Sequence, residues 1–144
     1  MKYKKLEVSE EETLNLDFIG NWFKESEKRR QKAASQEYID WLYNYVSTNK
    51  QLDDEDALYS KDPDIAENGA LLSYFFAHVK EIAIQQDVSV TSDDACMFYN
   101  EEVNIKIHDK YFNLFMMCGQ GARTFIALLD EEPDGAYVKL QETL

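Results

Sequence analysis

The chain predicts an α+β domain, with N-terminal helices followed by an antiparallel β-meander of about four to five strands. Three observations carry that expectation. Apolar residues recur at helical spacing through the first half. Val103, Ile105 and Ile107 alternate with Asn104, Lys106 and His108, the period-2 pattern of a strand with one buried face. Helices precede strands and do not alternate with them, which favours α+β over α/β. A length of 144 residues suits one domain, 1–144, with a proper core.

The elements follow in order. Tyr3 to Val8 reads as a short strand. Ser9 and Glu12 have capping-box spacing and predict a helix from about Glu10. Its apolar stripe is Leu14, Phe18, Ile19, Trp22 and Phe23, expected to be buried, with Gly20 weakening the helix slightly. The stripe lapses between Lys24 and Gln36 and resumes with Tyr38, Ile39, Leu42, Tyr45 and Val46. Ser35 suits an N-cap, while Ala33 and Ala34 break nothing, so one bent helix and two helices both fit. Gln51 to Asp64 reads as a polar connection. Asp62-Pro63 then matches an N-cap followed by an N1 proline. Ile65, Leu72, Phe75, Phe76, Val79, Ile82 and Ala83 predict one amphipathic helix ending near Gln86.

Val88 to Val90 reads as extended, Thr91 to Asp94 as a turn, and Cys96 to Tyr99 as the first meander strand, with Glu101-Glu102 turning into the next. A two-residue turn at Asp109-Lys110 would set Ile107 against Phe112, Ile105 against Leu114 and Val103 against Met116, all on one face. The loop Gly119-Gln120-Gly121-Ala122 leads into a strand from Arg123 to Leu129, whose Phe125, Ala127 and Leu129 continue that face. The opposite face is then Phe115, Met117, Ile126 and Leu128, apolar enough to need a cover from this chain or from a partner. Pro133-Asp134-Gly135 is a turn signal, and Ala136 to Leu140 the last strand.

An apolar fraction of 44% with 13% aromatics argues against a disordered chain. No apolar run approaches the roughly 20 residues of a membrane-spanning helix. The basic start, Met1-Lys2-Tyr3-Lys4-Lys5, is not followed by an apolar stretch, which predicts no secretory leader and a cytoplasmic location. Cys96 and Cys118 fall at opposite ends of the strands and are expected to be buried free thiols. The net charge of −13 is uneven: residues 1–50 are neutral, and 51–100 carry eleven acids against two bases. Such a field disfavours binding to nucleic acid or anionic lipid and favours a basic protein partner.

Few residues suggest chemistry. Counting from Asp53, an EF-hand loop would need glycine at its sixth position and a bidentate acid at its twelfth; Leu58 and Asp64 stand there, so no calcium loop is expected. The two histidines, His78 and His108, have no metal-ligand spacing around them. Cys118 precedes a glycine loop whose amides suit an anion hole, but His108 is expected far from it. Both glycines are read as serving φ > 0 in a strand connection. Arg123 could bind an anion, but is expected to pair with a nearby acid or to be plainly solvated. Lys24, Lys28, Arg29, Arg30 and Lys32 form a basic segment interrupted by Glu25 and Glu27, read as a docking patch for an acidic protein or for the acidic half of a second copy.

The expected function is therefore a small non-enzymatic interaction domain acting on another, basic protein, as an inhibitor, immunity-type protein or nucleic-acid mimic does. Its expected contacts are Asp53, Asp54, Glu55, Asp56, Asp62, Asp64, Glu131 and Glu132. The alternative is a homodimeric ligand-binding or regulatory domain using Phe115, Met117, Ile126 and Leu128 as its interface. No catalytic residue, metal or cofactor is assigned.

Overall fold

A computed structural model describes residues 10–95, 98–119 and 121–141. The expected strand at Tyr3–Val8, the Ser9 cap and Cys96 lie outside them. Helices come first and a mostly antiparallel sheet follows, so the fold is α+β.

Helix α1 spans Glu10–Ala33 and α2 spans Gln36–Asn49. They are two helices because Ser35 is extended (φ −79°, ψ 152°) and its hydroxyl accepts the Tyr38 N–H at 3.2 Å, which starts α2 afresh. Helix α2 buries Tyr38, Ile39, Leu42 and Val46, the stripe read from sequence, and ends on Lys50 in a left-handed conformation (φ 76°).

The polar stretch after α2 is not a loop. Gln51–Asp53 forms β1, with Leu52 buried against the core. Asp53 then caps α3, Asp54–Leu58, by accepting the Glu55 N–H at 2.9 Å. Asp62 and Pro63 start a helix as expected, but it is α4, Pro63–Gly69, separate from α5, Leu72–Gln85. Two contacts account for the break. The Tyr38 hydroxyl donates to the Asn68 carbonyl at 2.7 Å, occupying an acceptor that a continuous helix would use. Gly69 also lies so close to α3 that a Cβ there would stand 2.2 Å from the Ala57 Cβ.

The strands are β2 (Thr91–Ala95), β3 (Phe98–Ile107), β4 (Lys110–Cys118), β5 (Ala122–Leu128) and β6 (Val138–Gln141). They are ordered β1-β5-β4-β3-β2, and β6 runs parallel to β3 beyond the end of β2. Four sequence expectations are corrected here. Thr91–Asp94 is strand, and Glu101-Glu102 lies in mid-strand, where buried Glu101 meets the Lys80 ammonium of α5 at 2.7 Å. The β3–β4 turn is His108-Asp109, with His108 at φ 53°, so Ile107 pairs with Lys110, Ile105 with Phe112 and Val103 with Leu114. That register differs from the expected one by two residues, which preserves the faces.

The fourth correction changes a face. Cys118 pairs with Ala122, so the β4–β5 loop has three residues and not four. A one-residue slip turns every side chain over. Ile126, paired with Leu114, is therefore fully buried in the core, and Leu128 packs beside it, whereas Phe125 and Ala127 share the other face with Phe115 and Met117. Helices α2 and α5 cover the inner face, burying Tyr38, Leu42, Phe75, Phe76, Ile105 and Phe112.

Candidate functional site

The outer sheet face carries a hollow of about 450 Å³ lined by Asp53, Asn113, Phe115, Met117, Arg123 and Phe125. Strand alternation places these residues together: Phe115 pairs with Phe125, Met117 with Arg123, and Asp53 with Phe125. The three apolar side chains are only half-buried, and none belongs to the core. Of the apolar interface set expected from sequence, Phe115 and Met117 stand in this hollow, while Ile126 and Leu128 face inward.

Arg123 closes one side. Its Nε donates to the Asp53 carboxylate at 2.8 Å, and its terminal nitrogen meets the same oxygen. Glu55 and Asp56 stand 3.7 and 3.9 Å from the guanidinium. Burial works to raise the Asp53 carboxyl, but the Arg123 hydrogen bonds and the Glu55 and Asp56 amides outweigh it and hold the group below the usual carboxylate range. The hydrogen bond to Asp53 raises the Arg123 pKa in turn. Asp54 behaves oppositely, its pKa raised mainly by burial.

These acids divide into two kinds. Asp53 is consumed by Arg123 and the α3 cap, Asp62 caps α4, and Asp64 accepts the Trp41 indole N–H at 2.8 Å and the Asn68 amide at 3.0 Å. Glu132 accepts the Tyr137 hydroxyl at 2.8 Å. Glu55, Asp56 and Glu131 remain exposed to solvent. Alternation also adds two acids that sequence reading missed as site residues. Asp93 and Glu102 lie on the exposed side of β2 and β3, where with Phe115 they border a second, smaller depression of about 240 Å³. Their signal was hidden because Thr91–Asp94 and Glu101-Glu102 both resemble turns.

Cys118 and His108 are at opposite ends of β4, separated by roughly 30 Å at strand rise. His108 instead contacts Asp40 at 3.1 Å, and that hydrogen bond lowers the Asp40 pKa. His78, on α5, has its pKa lowered by burial. The glycine connection makes a Gly119 N–H to Gly121 carbonyl bond at 3.0 Å, and among the described residues no glycine has a positive φ, against expectation. Among the described residues no cluster of three metal-ligating side chains occurs. None of the described helices is long and apolar enough to cross a membrane. The chain matches no family model, no curated protein and no solved structure.

Proposed function

We propose that this protein is a non-enzymatic interaction domain that binds a basic protein, and that the outer sheet face is where it binds. The observation that carries this reading is a hollow floored by half-buried Phe115, Met117 and Phe125 between two acidic rims. One rim is Glu55 and Asp56, and the other is Asp93 and Glu102. An apolar floor supplies area, and the rims select a partner with lysine or arginine around an apolar anchor. Arg123 does not oppose such a partner, because Asp53 already neutralises it. The net charge of −13 extends the same preference to long range, as in inhibitors and immunity-type proteins that neutralise basic targets.

Capture from lysate on the immobilised protein, at low and high salt, tests the reading. A basic protein should be retained at low salt and released at high salt. The double variant Phe115→Glu, Phe125→Glu should fold and retain none. Unchanged retention by that variant would move the binding site off this face.

A further inference from the structure

Helix α1 docks by its second half. The stripe expected to be buried is in the open, with Phe18, Ile19, Trp22 and Phe23 exposed by 68, 49, 55 and 62%, while Ser26 and Ala33 are buried and α1 packs on α5 and α2. Beside the line of Ser26 and Ala33, this second half carries Lys28, Arg29 and Lys32. Residues spaced i, i+1 and i+4 share one side of a helix. All three line a cleft of about 520 Å³. Its other side is the end of α4 and the link to α5. There Glu67 and Asn68 supply polar groups, and Ala66, Ala70 and Leu71 supply apolar surface.

A cleft with three cations runs against the character of a chain that has 28 acids and 15 bases. The fold does not use these cations up. Arg29 has no ion-pair partner among the described residues. Lys28 meets Glu25 at 3.4 Å and Lys32 meets Glu37 at 2.9 Å, but both acids are exposed and such surface pairs hold loosely. Glu67, across the cleft, pairs with none of the three. The α4 side is also fixed before any ligand arrives. The Asn68 amide donates to the Asp64 carbonyl at 2.9 Å and to its carboxylate at 3.0 Å, and the Asn68 carbonyl accepts the Tyr38 hydroxyl at 2.7 Å.

We propose that this cleft binds a sugar phosphate or nucleoside monophosphate, with the phosphate on Lys28, Arg29 and Lys32 and the body of the ligand toward Glu67. A phosphate monoester is close to a dianion near neutrality and needs more than one cation. Arg29 can hold two of its oxygens in parallel, while the lysines act as point charges. The cleft falls within the roughly 300–1,000 Å³ of small-molecule sites, which leaves room for a body beyond the phosphate. A carboxylate only accepts hydrogen bonds, so Glu67 selects a body that ends in hydroxyl or amino groups and rejects a second anion. The field of the chain argues against larger anions. Nucleic acid or an anionic membrane would also meet the acid-rich remainder, whereas a small ligand lies within a Debye length, about 8 Å, of its cations and is screened from the rest. Since α1 packs on α5 and α2, which cover the inner sheet face, the cleft belongs to the helical side. The outer sheet face stays free, and this inference does not depend on its function.

Isothermal titration calorimetry tests it on the full chain, at low salt and about pH 7.5, where the phosphate is mostly dianionic. The probes are ribose phosphate and adenosine monophosphate, each against its phosphate-free counterpart, ribose or adenosine. At least one phosphorylated probe should bind saturably with Kd below about 1 mM, and neither counterpart should bind. The tighter of the two phosphates identifies the body the cleft prefers. Arg29→Ala should weaken that probe about tenfold or more. Arg30→Ala removes the same charge one position away, outside the cleft lining, and should weaken it less than about twofold. Far-ultraviolet circular dichroism checks that both variants are folded. The proposal is overturned if neither phosphate binds, or if ribose or adenosine binds as well as its phosphate. Equal losses in Arg29→Ala and Arg30→Ala overturn it too, since binding would then follow the general field and not the cleft.

Discussion

The two faces of one sheet are built from the same strands and end in different states. On the inner face, Ile105, Phe112, Leu114 and Ile126 have no exposure, sealed under α2 and α5. On the outer face, Phe115, Met117 and Phe125 are half-buried in a hollow bordered by charges. Hydrophobicity does not separate the sets, since Phe112 faces inward and Phe115 outward on the same strand, and Leu114 and Ile126 adjoin Phe115 and Phe125. Alternation separates them within a strand, and on β5 the number of residues in one loop decides which set turns inward. With three residues between Cys118 and Ala122, Ile126 turns inward and Phe125 outward. Stability is thus concentrated on one face, and the other is left apolar without being needed for the core.

Truncation should break this symmetry most sharply. Phe112→Ala removes a fully buried ring and should cost about 3–5 kcal/mol in urea unfolding. Phe125→Ala, on the partner strand but facing out, should cost about 1 kcal/mol or less. Equal losses would mean that the outer face is sealed within the chain, and the interaction reading would fail with it.

Gly69 tests the inner layer from the helix side. An added Cβ would meet the Ala57 Cβ at 2.2 Å, between two short helices with little room to separate. Gly69→Ala should destabilise by about 1–3 kcal/mol, although alanine favours a helix. A stabilised variant would show that α3 and α4 yield easily.

How legible this arrangement is from sequence depends on parity and on disguise. The helical stripe of α2, the Asp62-Pro63 start of α4 and the faces of β3 and β4 follow from periodicity alone. The β3–β4 register differs by two residues from the one the hydrophobic pattern suggests, and the faces survive because an even shift keeps them. The β4–β5 difference of one residue does not, and it moves Ile126 and Leu128 from the apparent interface into the core. Glu101 resembles a turn residue because its partner, Lys80, is remote in sequence. Asp53 likewise reads as part of a solvated run, and only Arg123, seventy positions away, makes it structural. The exposed stripe of α1 has the period of a buried one, since periodicity tells which residues share a side but not what lies against it.

Each face also has a clasp at its margin; both weaken in acid as their carboxylate, Asp53 or Asp109, is protonated, and the inner one should fail at the alkaline end as well. On the outer side, Asp53 is charged in the fold below the usual carboxylate range, so its contribution is full above about pH 4 and falls away as pH drops through the lowered folded value. Asp53→Asn should cost about 1 kcal/mol, a modest figure because Arg123 keeps access to water, and should flatten that acid limb of the stability curve. Asp53→Ala should cost about 1 kcal/mol more by removing the α3 cap. Asparagine at wild-type stability below pH 4 and above it alike would remove the ion pair from the account.

The inner clasp is smaller. The Tyr43 hydroxyl of α2 donates to the Asp109 carboxylate in the β3–β4 turn, and that bond raises the phenol to about 12. Here the folded pKa lies above the unfolded one, so the contribution is full below about pH 10 and is lost as pH rises toward 12. Tyr43→Phe keeps the ring against Phe112 and His108 and should cost less than about 1 kcal/mol near neutrality. In phenolate absorbance the wild type should retain one late-titrating tyrosine that the variant lacks, in addition to Tyr137, which its bond to Glu132 also raises to about 12, and to Tyr38, whose burial pushes its phenol higher still. If the late fraction is the same in both proteins, Tyr43 does not hold the turn. The inner face would then owe its closure to the buried rings of Phe112 and Phe75 together with the Lys80–Glu101 and Asp40–His108 contacts.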